Sequence, residues 1–193
     1  YGETISGLGG DDYIMGLSGD DLVVGASGND TLYGNKGLDR LWGGDDNDTL
    51  YGGQNAGNES GSPLALRDGV EYLFGNDGDD VLYGNHGDDL LSGGNGADAL
   101  FGGQDDDSLR GGAGNDVLQG NRGNDVLSGG AGNDSLIGNA GNDVIYGGDG
   151  DDVAVFSGSF DHYIVSISAD FVFVIDNRTG APDGTDQLFQ VET

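Results

Sequence analysis

Gly, Asp and an aliphatic residue return every nine residues along most of this chain. That period constrains the fold more than any other feature. The stretch GGAGNDVLQGNRGNDVLSGGAGNDSLIGNAGNDVIYGG, residues 111–148, shows it in its plainest form. With Gly at position 1 and Asp at position 6, units begin at Gly7, Gly16, Gly25, Gly34, Gly43 and Gly52. They resume at Gly75, Gly84, Gly93, Gly102, Gly111, Gly120, Gly129, Gly138 and Gly147. A partial unit, YGETIS, precedes them. Position 6 is Asp12, Asp21, Asp30, Asp39, Asp48, Asp80, Asp89, Asp98, Asp107, Asp116, Asp125, Asp134, Asp143 and Asp152, with Glu71 the exception. Position 8 is Ile, Leu or Val until Ala154 in the last unit.

A nine-residue unit of this kind divides into six turn residues and a three-residue strand whose central side chain points to one side. Two units make one coil of turn, strand, turn, strand. Strands 18 residues apart then stack in parallel at roughly 4.8 Å spacing. Fifteen units give a stack roughly 36 Å long at that spacing, with a thin aliphatic core between two sheets. The expected class is all-β, a parallel solenoid.

Two departures interrupt the array. NAGNESGSPLALRD (55–68) separates Gln54 from Gly69 and reads as a loop extruded from one turn, since closure cost grows slowly with loop length. After Val155, DHYIVSIS and DFVFVIDN alternate as a hairpin, with Tyr163, Val165 and Ile167 on one face and Phe171, Phe173 and Ile175 likewise. GAPDGTD reads as a turn cluster and QLFQV as a last short strand. The organisation is therefore 1–155 as the array and 156–193 as a β-rich segment capping its open end.

The charge asks for a partner. The chain carries 35 acidic residues against six basic ones, a net charge of −29. A phosphate backbone or an anionic membrane surface needs basic residues, so both are poor partners. Stacking would bring the Asp of successive coils together and add like-charge repulsion, which cations between turns would remove. Hard oxygen donors, carboxylate and backbone carbonyl, suit Ca²⁺. Cysteine is absent, so thiolate sites and disulfides are excluded. No HExxH, P-loop or GxSxG motif occurs, and neither His86 nor His162 has a partner of recognisable spacing, so the chain is read as non-enzymatic. DDNDTLYGG lacks the Gly and closing Glu of an EF-hand loop. The Asp residues at position 5 (Asp11, Asp20, Asp79, Asp88, Asp106, Asp151) are read as solvated charge rather than ligands.

The units resemble the calcium-binding nonapeptide repeats of RTX proteins, the hemolysin-type family, over about residues 7–155. The segment from FSGSFDHYIVSI to DQLFQVE is similar to the β-rich region that often follows such repeats. The resemblance implies a right-handed parallel β-roll with Ca²⁺ between alternate turns. It also implies that each ion takes carbonyls of positions 2 and 4 and the Asp of one turn, and carbonyls of positions 1 and 3 and the Asp of the next turn on that edge. Carried over, the metal residues are the position-6 aspartates together with turn residues that offer carbonyls. In the most regular turns these are Gly93, Gly94, Asn95 and Gly96; Gly102, Gly103, Gln104 and Asp105; and Gly111, Gly112, Ala113 and Gly114. They continue with Gly120, Asn121, Arg122 and Gly123; Gly129, Gly130, Ala131 and Gly132; and Gly138, Asn139, Ala140 and Gly141. Adjacent turns give up to 13 ions, about 11 of them clear of the interruption. Asp46 and Asp105 replace Gly at position 4, where a side chain is expected to strain the turn.

The resemblance further implies a secreted or cell-surface bacterial protein, exported by type I secretion, of adhesin or surface-layer type. An accessory module of a secreted enzyme (protease, lipase or polysaccharide-modifying) is the alternative. Ice binding wants a rank of Thr at a repeated turn position, and position 3 has none. Both ends of the chain cut through motifs, so a larger protein is expected. Position 9 along one sheet carries Tyr33, Tyr51, Tyr83 and Phe101 in neighbouring strands. That ladder is either cross-strand packing or a contact for another protomer, domain or glycan.

Overall fold

The computed structural model describes residues 2–53, 70–167, 172–178 and 183–191. The insertion at 55–68 lies outside the described residues. The array is a parallel β-solenoid. Strands alternate between two sheets, so that each strand pairs with the next but one in sequence, 18 residues on where the repeat is uninterrupted. Thr4–Ser6, the end of the partial first unit, pairs with Leu22–Ser27, and the register runs Ile5 to Val23 to Leu41 and onward. In the second sheet Tyr13–Ser18 pairs with Thr31–Lys36, and Ala99–Gln104 with Val117–Arg122. The position-8 residues, from Ile14 and Val23 through Leu136 and Ile145, form the buried core between the sheets.

The strands are longer than the three residues expected. Each regular one has six, as in Val117–Arg122, because pairing resumes at positions 2 and 3 after a skip at position 1. The backbone turns with positive φ at positions 2 and 4, while position 1 is not in that region. Position 1 is Gly for another reason. A Cβ on Gly111 would overlap Asp116 Oδ2 and lie 2.7 Å from the Gly129 carbonyl oxygen, and Gly129 meets Asp134 and Gly147 in the same way. At position 4, glycines sit at φ between 98° and 147°, whereas Asp46 and Asp105 sit at 78° and 77°. Those two turns bend toward the left-handed helical region that a side chain tolerates.

The C-terminal hairpin forms as expected, Tyr163–Ile167 antiparallel to Val172–Asp176. Within it Val174 is buried and joins the core. The next strand, Thr185–Phe189, pairs antiparallel with the hairpin on one side and parallel with Val144–Asp149 on the other. The last strand therefore adds a rung to the solenoid, and the hairpin covers the sheet edge beyond it. A polar cluster ties this end together. Arg178 bridges Asp176 and Asp183, each at 2.8 Å, and Asp183 also accepts bonds from Ser157 and the Tyr163 hydroxyl. Among the described residues no helix is long and apolar enough to cross a membrane.

Candidate calcium sites

Stacking aligns the position-6 carboxylates into two ladders. On one edge the amide of each Asp donates to Oδ1 of the Asp one coil on. The pairs are Asp12 to Asp30 at 2.8 Å, Asp30 to Asp48 at 2.8 Å, Asp80 to Asp98 at 2.9 Å and Asp116 to Asp134 at 2.9 Å. The other edge repeats the bond from Asp21 to Asp39 and from Asp107 to Asp125, both at 2.8 Å. The insertion does not break the first ladder, since Asp48 donates to Asp80 across it. On the other edge the Tyr72 amide donates to the Asp39 carbonyl across it, and the ladder runs on beyond it with Glu71 donating to Asp89.

One oxygen of each carboxylate is thus bound to backbone. The second is not. In every position-6 aspartate from Asp12 to Asp143, Oδ2 is buried and has no hydrogen-bond partner. A buried carboxylate oxygen left without a partner is costly, and a repeated row of them asks for a cation. Each Oδ2 faces the opening glycine of its own turn, where the carbonyl of the next coil's opening residue also arrives, as Asp12 Oδ2 and the Gly25 carbonyl do at Gly7.

Burial, reinforced by neighbouring carboxylates, holds these groups toward the protonated form in the metal-free chain. Asp39, Asp48, Asp80, Asp98, Asp116 and Asp143 are pushed up to about 6. Asp125 is pushed to about 7 and Asp107 to about 9, with burial the larger cause in each. Asp89 rises through burial and through the Glu71 carboxyl beside it.

Among the described residues, no three acidic or imidazole side chains converge on one point. The carboxylates meet in pairs across coils, so an ion between turns must draw its remaining oxygens from backbone carbonyls. The turns supply these. The carbonyl of position 4 points at the next coil's position 4, Gly114 at Gly132 and Gly123 at Gly141. The donor set is all oxygen, which fits Ca²⁺.

The family model for RTX calcium-binding nonapeptide repeats matches residues 1–32, 24–57, 67–100, 101–136 and 128–158. The chain belongs to this family. No curated protein sequence matches it. Its RTX repeats bind Ca²⁺, and the two ladders of buried aspartates are consistent with that.

Two parts of the site are absent from the sequence reading. Position 5, read as solvated charge, is a second ladder on the outer face of the turns. Asp11 Oδ1 accepts from the Asn29 amide, Asp106 Oδ1 from Asn124 and Asn124 Oδ1 from Asn142. The signal was the preference for Asn or Asp there, residues that bond nearby backbone amides. The other part is Asp186, 1% exposed, whose Oδ1 accepts from the Asp143 amide at 2.8 Å and continues that ladder.

The aromatic ladder is a stack. Ring centroids of Tyr33, Tyr51, Tyr83 and Phe101 follow at 4.6, 5.0 and 4.9 Å, with neighbouring planes within 10° of parallel. The other sheet stacks Trp42 on Phe74 and also Tyr146 on Phe189, a pair that exists because Thr185–Phe189 joins the roll.

Proposed function

We propose that this RTX roll is a calcium-folded structural module of a secreted or cell-surface bacterial protein, exported unfolded by type I secretion and folding outside the cell. The observation that carries the reading is the row of buried, unpartnered Oδ2 oxygens. A chain of net charge −29 cannot comfortably hold that row in an apolar stack without cations. Bound between turns, Ca²⁺ would supply positive charge to the carboxylates and a hard acceptor for the carbonyl oxygens. The position-6 aspartates and the turn residues carrying positions 1 to 4 would hold it. The aliphatic residue at position 8 fixes each turn to the core, so binding and folding are one equilibrium.

About 11 to 13 ions are expected from the regular turns. With free Ca²⁺ at tenfold its Kd, each site adds roughly 1.4 kcal/mol, so the sum decides whether the roll exists. The module is read as structural and non-catalytic. The aromatic ladder is in keeping with that reading, since Tyr33, Tyr51, Tyr83 and Phe101 stack on one another across neighbouring strands. The test is chelation followed by circular dichroism. Excess EDTA at neutral pH should abolish the β signal, and added Ca²⁺ should restore it. A chain that stays fully folded in EDTA overturns the reading.

A further inference from the structure

The nine-residue template occurs once more, out of phase with the others and beyond the residues that the family model matches. In APDGTDQLF, residues 181–189, Gly184 takes position 4, Asp186 position 6, Leu188 position 8 and Phe189 position 9. The glycines of positions 1 and 2 are missing, and 25 residues (156–180) stand between Val155 and this unit. The structure nonetheless seats its described part, residues 183–189, as the next turn above residues 138–143.

Its contacts reproduce those of a regular turn one by one. The Asp143 amide donates to Asp186 Oδ1 at 2.8 Å, as inner-ladder amides do elsewhere. The Thr185 amide donates to Asn142 Oδ1 at 3.0 Å, continuing the outer ladder. The Gln187 amide donates to the Asp143 carbonyl at 2.9 Å, as Thr31 does to Asp12. Gly184 has positive φ and leaves no room for a Cβ beside the Gly141 carbonyl, the relation Gly132 has to Gly114. Leu188 pairs with Ile145 in the core.

Asp143 Oδ2 is buried, without a hydrogen-bond partner, in a residue 1% exposed. Asp186 is equally buried. The nearby basic group does not serve them. Arg178 is held by Asp176 and Asp183, at 2.8 Å from each, and the Asp183 side chain is further occupied by Ser157 and Tyr163. Arg178 is thus engaged within the cap, and the Asp143–Asp186 pair is left with two carboxylates across one inter-turn gap.

We propose that the discontinuous unit around Asp186 and the Gly138–Asp143 turn build a further divalent-cation site of the Ca²⁺ class. Asp143 and Asp186 are its charged ligands and turn carbonyls supply its remaining oxygens. The roll is then closed by an ion at the junction with its cap as well as by hydrogen bonds. The proposal rests on the reading of the regular turns as Ca²⁺ sites.

Crystals of the wild-type chain grown with Ca²⁺ test it through anomalous scattering. Peaks along both ladders with one more between Asp143 and Asp186 are expected. Ladder peaks without that one overturn the proposal alone, whereas no peaks in the ladders overturn the reading beneath it as well. In solution, native mass spectrometry at saturating Ca²⁺ should count one ion fewer for Asp186→Asn than for the wild type, with circular dichroism unchanged. An equal count in a folded variant overturns the proposal. If Asp186→Asn does not fold, the wild-type crystals decide.

Discussion

The amide of Asp143 donates to Asp186 Oδ1 at 2.8 Å although 43 residues separate them, and the amide of Asp48 donates to Asp80 Oδ1 at 2.7 Å across 32. The uninterrupted turns make the same bond across 18 residues. Register in this roll is therefore held by each turn's fit to the one beneath it and not by chain spacing. An excursion can leave the stack at a turn and return without cost to the ladder.

Removing the first excursion should therefore strengthen the roll. Deletion of Asn55–Asp68 joins Gln54 to Gly69 and writes GGQGVE, a complete turn with Glu71 at position 6. Closing a 14-residue loop costs about 2 kcal/mol in the flexible-chain limit. The deleted chain should keep its Ca²⁺-dependent β signal and melt several degrees higher. Thermal melts at fixed free Ca²⁺ check this, and a lower melting temperature would mean the segment contributes contacts of its own.

The two carboxylate positions in each turn should respond differently to the same change. Asp106 works through one oxygen, which accepts from Asn124. Asp106→Asn keeps that acceptor and should leave Ca²⁺ binding and stability nearly unchanged, while Asp106→Ala should cost about 0.5–1.5 kcal/mol. Asp107→Asn keeps the bond from Asp89 but removes the charge from the inner oxygen. It should weaken Ca²⁺ binding at the two inter-turn gaps it faces. Calcium titrations of the three variants separate these outcomes. Equal losses for Asp106→Asn and Asp107→Asn would sink the distinction.

Position 4 offers a stabilising change. Asp105 holds φ 77° where glycines in the same position hold wider angles. Asp105→Gly should gain up to about 1 kcal/mol by releasing the left-handed strain, partly offset by glycine's chain entropy. The reverse change at the next coil, Gly123→Ala, places a Cβ onto the Asp105 carbonyl and should be strongly destabilising. Denaturation at saturating Ca²⁺ measures both, and a neutral Gly123→Ala would show that the coils can separate there.

Most of the roll was legible in the sequence because the repeat states its own geometry. Asp at position 6 and an aliphatic at position 8 every nine residues gave the coil, the two sheets and the core. What was hidden lay where an identity had two causes. Gly at position 1 recurs like the glycines of the turning positions 2 and 4, but Gly111 is there because Asp116 and the Gly129 carbonyl fill the space of a Cβ. Asn and Asp at position 5 looked like solvated charge, and their acceptor role appears only when Asn124 is stacked on Asp106. Asp186 was lost because its unit is out of phase and lacks the two opening glycines, although DGTDQLF keeps positions 4, 6 and 8.

The sharpest prediction concerns protons. In the metal-free roll Asp39, Asp48, Asp80, Asp98, Asp116 and Asp143 are raised to about 6 and Asp125 to about 7, by burial first and neighbouring carboxylates second. An unfolded aspartate titrates near 3.9. A folded-state value above the unfolded one means the folded chain binds more protons, so stability is greatest below about pH 4 and is lost as pH rises through 6 to 7. The metal-free chain should therefore gain β structure as pH falls from 7.5 toward 4.5, protons standing where cations otherwise would. With Ca²⁺ present the slope reverses, because protons compete for the same Oδ2 oxygens and apparent Ca²⁺ affinity should fall with acid. Circular dichroism of the decalcified chain across that range, beside Ca²⁺ titrations at each pH, reads both slopes. A decalcified chain equally unfolded at pH 7.5 and 4.5 would refute the proposed proton–cation exchange in the ladder.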